Sequence, residues 1–277
     1  MEVKAEESDD DGEMGFLAVL RREDRRGDGE KPEEMGNHSP GDEPEQRRYE
    51  LGSIGAALTI RQLPSQGLSF QLWPAASSLV ALLDRNPSLL LASLPASRRC
   101  LPNLKILELG AGTGLVGIAA AAVLGARVTI TDMAHVLPNL RFNAQANARA
   151  VAARGGAVEV RQLEWGRHEE DAAGLGGASE KDAAAFDLVM ASDVVYHDHL
   201  FDPLLQTLQF FVTGEVALVL AHLRRWKKDA VFFRKARKLF EVSVIHTDPP
   251  LPGSRVGITV YRFAKKAPAA ATEAGGG

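Results

Sequence analysis

Ile106 to Ala121 reads "ILELGAGTGLVGIAAA", a run in which four glycines stand between strand-like residues and a stretch of alanines. Gly110, Gly112, Gly114 and Gly117 close a strand and open a helix. Backbone N–H groups and a helix N-terminus meet nucleotide-type ligands in that context. Glycine lets the chain turn sharply and lets a ligand approach without meeting a Cβ. A tight strand-to-helix turn that binds nothing has the same look in many α/β proteins. The flanking residues therefore have to discriminate.

Outward from the turn, strand and helix patterns alternate. "LKILELG", "RVTITD", "AVEVRQLEW", "FDLVMASDVVY" and "EVALVLAHL" read as strands. Helical patterns lie between and after them in "GLVGIAAAAVLG", in "VLPNLRFNAQANARAVAAR" from near Pro138, in "HLFDPLLQTLQFFVT" and in "RRWKKDAVFFRKARKLF". Alternating βα units predict a parallel sheet with helices on both faces. "EVSVIHTD" and "GITVYRFAKK" close the chain, joined by a loop too short for a crossover helix, so that pair is expected to be antiparallel. The fold class is α/β: a Rossmann-like sheet, mostly parallel with an antiparallel last strand. Upstream, "ALTIRQL" and "LSFQLW" around the turn "PSQG" predict a small N-terminal β-hairpin, and "WPAASSLVALLDRNP" a helix that ends at Pro87.

The 277 residues are 45% hydrophobic and 25% charged, ordinary for a globular protein, and the net charge of -4 gives no reason to expect a nucleic-acid partner. One cysteine, Cys100, excludes an internal disulfide framework. No apolar run reaches the ~18 residues a transmembrane helix needs, so no membrane partner is expected. The start, "MEVKAEESDDDGEM", is acidic and lacks the layout of a secretory signal. The expectation is a protein of the cytoplasm, extending to the nucleus. Residues 1–47 are charged and rich in Gly and Pro, and read as a disordered acidic tail that contains a short apolar "FLAVL". A domain is expected over 48–266, with a Gly- and Ala-rich flexible insertion at 171–185 and a second tail at 267–277.

Two acids flank the glycine turn. Glu108 precedes the first glycine by two residues, badly placed for a phosphate and well placed for a cationic amine. Asp132 ends the next strand, where a carboxylate suits a ribose diol. An amine and a ribose together point to S-adenosylmethionine rather than a dinucleotide. At this point the chain resembles the seven-strand S-adenosylmethionine-dependent methyltransferases. "LELGAGTGLVGI" resembles their first motif. "QLWPAA" (71–76), "TDMAHVLPNLRFNAQAN", "LEW" (163–165) and "ASDVVY" (191–196) resemble, in order, elements of the family 16 or methyltransferase-like 21 branch. Characterised members of that branch mostly methylate lysines of non-histone proteins.

The resemblance runs from about residue 50 to about residue 265 and implies a role for each matched residue. Gly110, Ala111 and Gly112 would line the methionine part of the cofactor, with Glu108 near its amine. Asp132 would bind the ribose hydroxyls, Trp165 would lie against the adenine, and Trp73 would help close the pocket. Ala191 would touch the cofactor through its backbone. Asp193 and Tyr196 would sit as catalytic residues at the mouth where a lysine enters. Structural readings stand beside these: Trp73 and Trp165 as core aromatics, Asp193 as a helix cap, Tyr196 as a packed tyrosine. His197 and His199 in "HDH" lack the accompanying ligands of a metal site, so no metal is expected. "RRWKKD" (224–229) reads as a solvated helix start rather than a docking surface. The implied activity is that of a protein-lysine methyltransferase acting, as a monomer, on a chaperone, a translation factor or another ATP-driven protein. Transfer to arginine, histidine or a small molecule, and a non-enzymatic scaffold, are the alternatives.

Overall fold

The computed structural model describes residues 44–99, 104–167, 186–250 and 256–266. The chain opens with β1 (Glu45–Leu51), β2 (Ala56–Gln62), α1 (Pro74–Arg85) and α2 (Pro87–Leu91). Then come β3 (Lys105–Leu109), α3 (Leu115–Leu124), β4 (Arg127–Asp132), α4 (Leu137–Ala146), α5 (Ala148–Ala152) and β5 (Ala157–Gln162). The remainder is β6 (Leu188–Ser192), α6 (Phe201–Phe211), β7 (Ala217–Leu223), α7 (Asp229–Leu239), β8 (Phe240–Thr247) and β9 (Ile258–Lys265).

Seven strands form one sheet in the order β5-β4-β3-β6-β7-β9-β8. β5, β4, β3, β6 and β7 run parallel, and β9 is antiparallel to both of its neighbours. This is the expected mostly parallel sheet with its antiparallel last strand. Side chains along a strand alternate between faces, and the core divides accordingly. Ile106, Val128, Ile130, Met190 and Val219 pack with α1, α3 and α4 on one face. Leu107, Leu109, Val189, Ala191 and Leu218 pack with α6 and α7 on the other.

The sheet order reverses between β3 and β6. The chain winds outward through β4 and β5 in one direction and through β6 and β7 in the other. A crevice opens at the carboxyl ends of strands where such an order reverses. The glycine turn after β3 and the segment after β6 meet there.

Three local expectations need correction. A hairpin is present, but β1 pairs with β2, Glu45 opposite Gln62 and Leu51 opposite Ala56. The segment read as its second strand instead forms 3-10 turns at Pro64–Gln66 and Leu68–Phe70. Pro64 has no N–H for a ladder, and the loop is closed by Leu63 N–H on Phe70 O (2.9 Å) and Leu72 N–H on Gln62 Oε1 (2.7 Å) rather than by a strand ladder. β1 begins at Glu45, so residues 45–47 belong to the hairpin rather than to a tail. Finally, α7 begins at Asp229, which leaves 224–228 as a loop. Positions 1–43 and 267–277 of the expected tails and the insertion at 171–185 lie outside the described residues.

Candidate active site

Gly110 and Gly112 follow β3 with φ of +61° and +55°, left-handed values that side chains rarely adopt. A Cβ on Gly110 would stand 2.8 Å from the Trp165 ring, and one on Gly112 would stand 3.1 Å from Ser69 O. The backbone thus comes flush with its surroundings, as a ligand-facing turn requires. β4 holds the turn in place. Ala111 N–H donates to Thr131 O (2.9 Å) and Gly112 N–H to Asp132 Oδ2 (2.8 Å). The other Asp132 oxygen accepts from Met133 N–H (2.8 Å).

Above the turn lies a cavity of about 280 Å3, near the lower end of the ~300–1,000 Å3 usual for small-molecule sites. Gly110, Ala111, Gly112, Asp132, Trp165 and Trp73 line it, and so do Asp193 and Tyr196. Eight of the ten residues singled out from the sequence are therefore gathered on one cavity. Trp73 sits at the start of α1 and is fixed by its indole N–H, which donates to Leu68 O (2.9 Å). The Tyr196 ring is tilted against His197 (4.9 Å between centroids, 53°), and His197 stacks on His199 (5.1 Å, 26°).

Glu108 and Ala191 do not line the cavity. Glu108 shares the Ile106 face of β3, and this face is covered by α3. Its side chain is buried beneath the helix start, where Oε2 accepts from Gly117 N–H (2.9 Å). Burial, reinforced by the nearby Asp132 charge and opposed by the Gly117 hydrogen bond, pushes its pKa up to about 8. Its carboxyl secures the turn from behind, away from the cavity lining. Ala191 lies within β6, paired with Leu109 and Leu220, and packs into the second core. The cavity wall begins one residue later, at Ser192.

Asp193 faces the cavity but is not a free catalytic carboxylate. Oδ1 accepts from Leu223 N–H (3.1 Å) and Arg225 Nη1 (3.1 Å). Oδ2 accepts from Arg225 Nη2 (3.0 Å) and Ala75 N–H (3.3 Å). A carboxylate has about four lone-pair sites, and here all are engaged. Its φ of +52° is the only left-handed value outside glycine among the described residues. Such strain persists only where surrounding contacts fix it. Asp193 thus ties the end of β6 to the end of β7 and to the start of α1.

The sequence reading missed Arg225, His199, Ser69 and Leu68, all of which line the cavity. Arg225 had a visible signal: it stands just past the carboxyl end of a parallel strand, on the rim where sites form. Leu68 and Ser69 had none, because the 3-10 turns that carry them were read as a strand. Among the described residues no cluster of His, Cys, Asp and Glu converges as a metal site. None of the described helices is long and apolar enough to cross a membrane.

A family model described as "Lysine methyltransferase" matches residues 54–239 of the chain. The chain is similar to the protein N-lysine methyltransferase METTL21A of Danio rerio, 38% identical over 58% of this chain and 66% of that protein. It is likewise similar to METTL21A of Mus musculus, 38% identical over 51% of this chain and 60% of that one. The matched region thus spans somewhat less than two thirds of these relatives. Among solved structures, TYW2 of P. horikoshii in complex with MeSAdo aligns over 76% of this chain and 69% of its own, at 12% identity and a TM-score of 0.46.

Proposed function

The chain belongs to the lysine methyltransferase family, and from that premise we propose that it binds S-adenosylmethionine above the glycine turn and methylates a lysine side chain of a non-histone protein. The observation that carries this reading is the turn itself, with Gly110 and Gly112 flush with a cavity that Asp132 and Trp165, packed beside the turn, also line. The lining fits the cofactor chemically. Asp132 supplies a carboxylate for ribose hydroxyls, Trp165 a ring for a base, and the backbone of residues 110–112 a close approach for the methionine part. The one Arg or Lys in the lining, Arg225, is committed to Asp193, which leaves no free guanidinium or ammonium for a pyrophosphate.

Bound there, the cofactor supplies an electrophilic methyl group on a sulfonium. What remains for the protein is position and electrostatics. A lysine amine has a reference pKa near 10.4 and is mostly protonated at neutral pH, whereas the nucleophile is the free amine. Apolar walls disfavour the charged form, and Leu68, Leu163 and Val194 contribute such walls. Asp193, with its charge offset by Arg225, holds no anion free to retain the ammonium. Tyr196, on the cavity wall beyond Asp193, orients the incoming amine.

The test is incubation of the purified chain with a cell extract and radiolabelled S-adenosylmethionine, beside an Asp132→Ala control. A discrete labelled protein band, absent from the control, is the expected result. No labelled protein from a chain that binds the cofactor would move the acceptor to a small molecule. A chain that binds no cofactor would defeat the reading.

A further inference from the structure

We propose that the loop Arg224–Lys228 is a docking surface for an acidic segment of the acceptor protein, beside the lysine that enters the cavity. This rests on the methyltransferase reading above and specifies its substrate. The loop leaves the carboxyl end of β7, on the rim of the cavity, and reads Arg-Arg-Trp-Lys-Lys. Arg225 lines the cavity itself, in a bidentate pair with Asp193 and with its guanidinium 5.4 Å from the Trp73 ring.

The acid that follows these cations is withdrawn from the surface. Asp229 is 1% exposed. Its Oδ2 accepts from Arg225 N–H (3.2 Å) and Trp226 N–H (3.3 Å) and meets His222 Nε2 (3.2 Å). Burial opposes its ionised form, but His222 and the two backbone N–H groups outweigh that and hold its pKa below the ordinary aspartate value. The loop backbone is therefore fastened at Asp229 and, through the Arg225 side chain, at Asp193. Arg225 is neutralised by that contact. Arg224 and Lys227 remain exposed, and Lys228 lies over the Trp226 ring (5.3 Å). Among the described residues none of these three pairs with a carboxylate.

Like charges held close together in a fixed loop repel one another, and a mobile solvated loop would avoid this. Fixed cations at a cleft steer anionic partners and set their register. They also act on the reaction, because positive charge near an entering amine disfavours its protonated form. The occupant is a protein segment. A net charge of -4 over the whole chain opposes the long phosphate backbone of a nucleic acid. A short acidic stretch meets the loop without meeting the rest of that field.

The test is fluorescence anisotropy with the full chain and fluorescein-labelled peptides carrying one lysine, flanked either by Asp and Glu or by Asn and Gln. The acidic peptide is expected to bind at least about tenfold more tightly at low salt, with the gap closing as salt rises. The triple variant R224E/K227E/K228E, and the milder R224Q/K227Q/K228Q, should lose the preference while binding S-adenosylmethionine like the parent by calorimetry. Equal binding of the two peptides, or a preference that survives in a folded triple variant, would overturn the proposal. So would a single-stranded oligonucleotide of equal charge that binds more tightly than the acidic peptide and displaces it. Failure of the methyltransferase reading is distinguishable, since it appears as absence of cofactor binding in the parent chain.

Discussion

Glu108 occupies a position with no room and little tolerance for charge. A Cβ at Gly117 would lie 2.5 Å from its Oε2 and 2.3 Å from Ile130 Cγ2. Gly117→Ala is therefore expected to destabilise by about 1–3 kcal/mol through overpacking, read as a lowered denaturant midpoint with the slope unchanged. The pH dependence has a definite sign. With a folded pKa near 8 against an ordinary carboxyl value of 4.5, the native chain keeps this proton to higher pH than the unfolded chain does. This group's contribution is full below about pH 4.5 and is lost as pH rises to about 8. Glu108→Gln keeps an acceptor for Gly117 N–H and cannot ionise. It should gain stability over the parent at pH 8–9, on the order of 3 kcal/mol, and little at pH 5. Equal melting temperatures at both pH values would show that Glu108 is not held neutral. The strand alternation already placed Glu108 on the face of Ile106. An acid so close to a glycine turn nevertheless reads as a ligand residue, because the helix that covers it comes later in the chain.

At the scale of elements, one helix side holds the hairpin. Asn139, Asn143 and Asn147 stand four residues apart along α4 and at its end, on one face. Asn139 Oδ1 accepts from Arg61 Nε (2.8 Å), Asn143 Oδ1 from Arg61 N–H (2.9 Å), and Asn147 Oδ1 from Thr59 N–H (2.8 Å). Asn143 also donates to Arg61 O (3.0 Å) and Thr113 O (2.9 Å), so it joins β2, α4 and the glycine turn. Asn143→Ala would strand Arg61 N–H and Thr113 O beneath the helix, at about 1–3 kcal/mol for each group left unsatisfied, while Arg61 O keeps its bond from Asn139 Nδ2 (3.3 Å). The expected outcome is a lowered melting temperature and faster amide exchange at Thr59 and Arg61, with the central strands unaffected. Protection lost evenly across the sheet would contradict this. The spaced asparagines are legible in the sequence, but their partners are not, since β2 lies some 80 residues upstream. Composition, not distance, hid the true hairpin: β1 carries Gln46, Arg47 and Arg48, is largely exposed, and looks like the tail before it.

Across the whole molecule, the parallel sheet follows from alternating βα patterns, while the strand order, and with it the crevice at the reversal between β3 and β6, emerges only in the fold. The elements of the sheet, the glycine turn and Asp132 were readable because they depend on short-range periodicity and turn residues, whereas Trp73, Trp165, Asp193 and Tyr196 were marked only by the resemblance to a known family. The Asp193 hub was legible in neither way. It joins residues 75, 193, 223 and 225, and only the folded sheet brings them together. Removing one partner of a buried ion pair costs about 3–5 kcal/mol, so Asp193→Ala should lower the melting temperature sharply. Loss of transfer in that variant would then reflect a collapsed wall. An unchanged melting temperature with transfer abolished would restore Asp193 as a direct participant.

The central claim is methylation of a protein lysine by this cavity, and acceptor mapping by mass spectrometry tests it most directly. Protein labelled by the chain in extract would be digested and its modified residue located, with Asp132→Ala in parallel. The account predicts added methyl mass on a lysine side chain, absent with Asp132→Ala. Methyl mass on arginine or histidine, or labelling that persists in the variant, would contradict it.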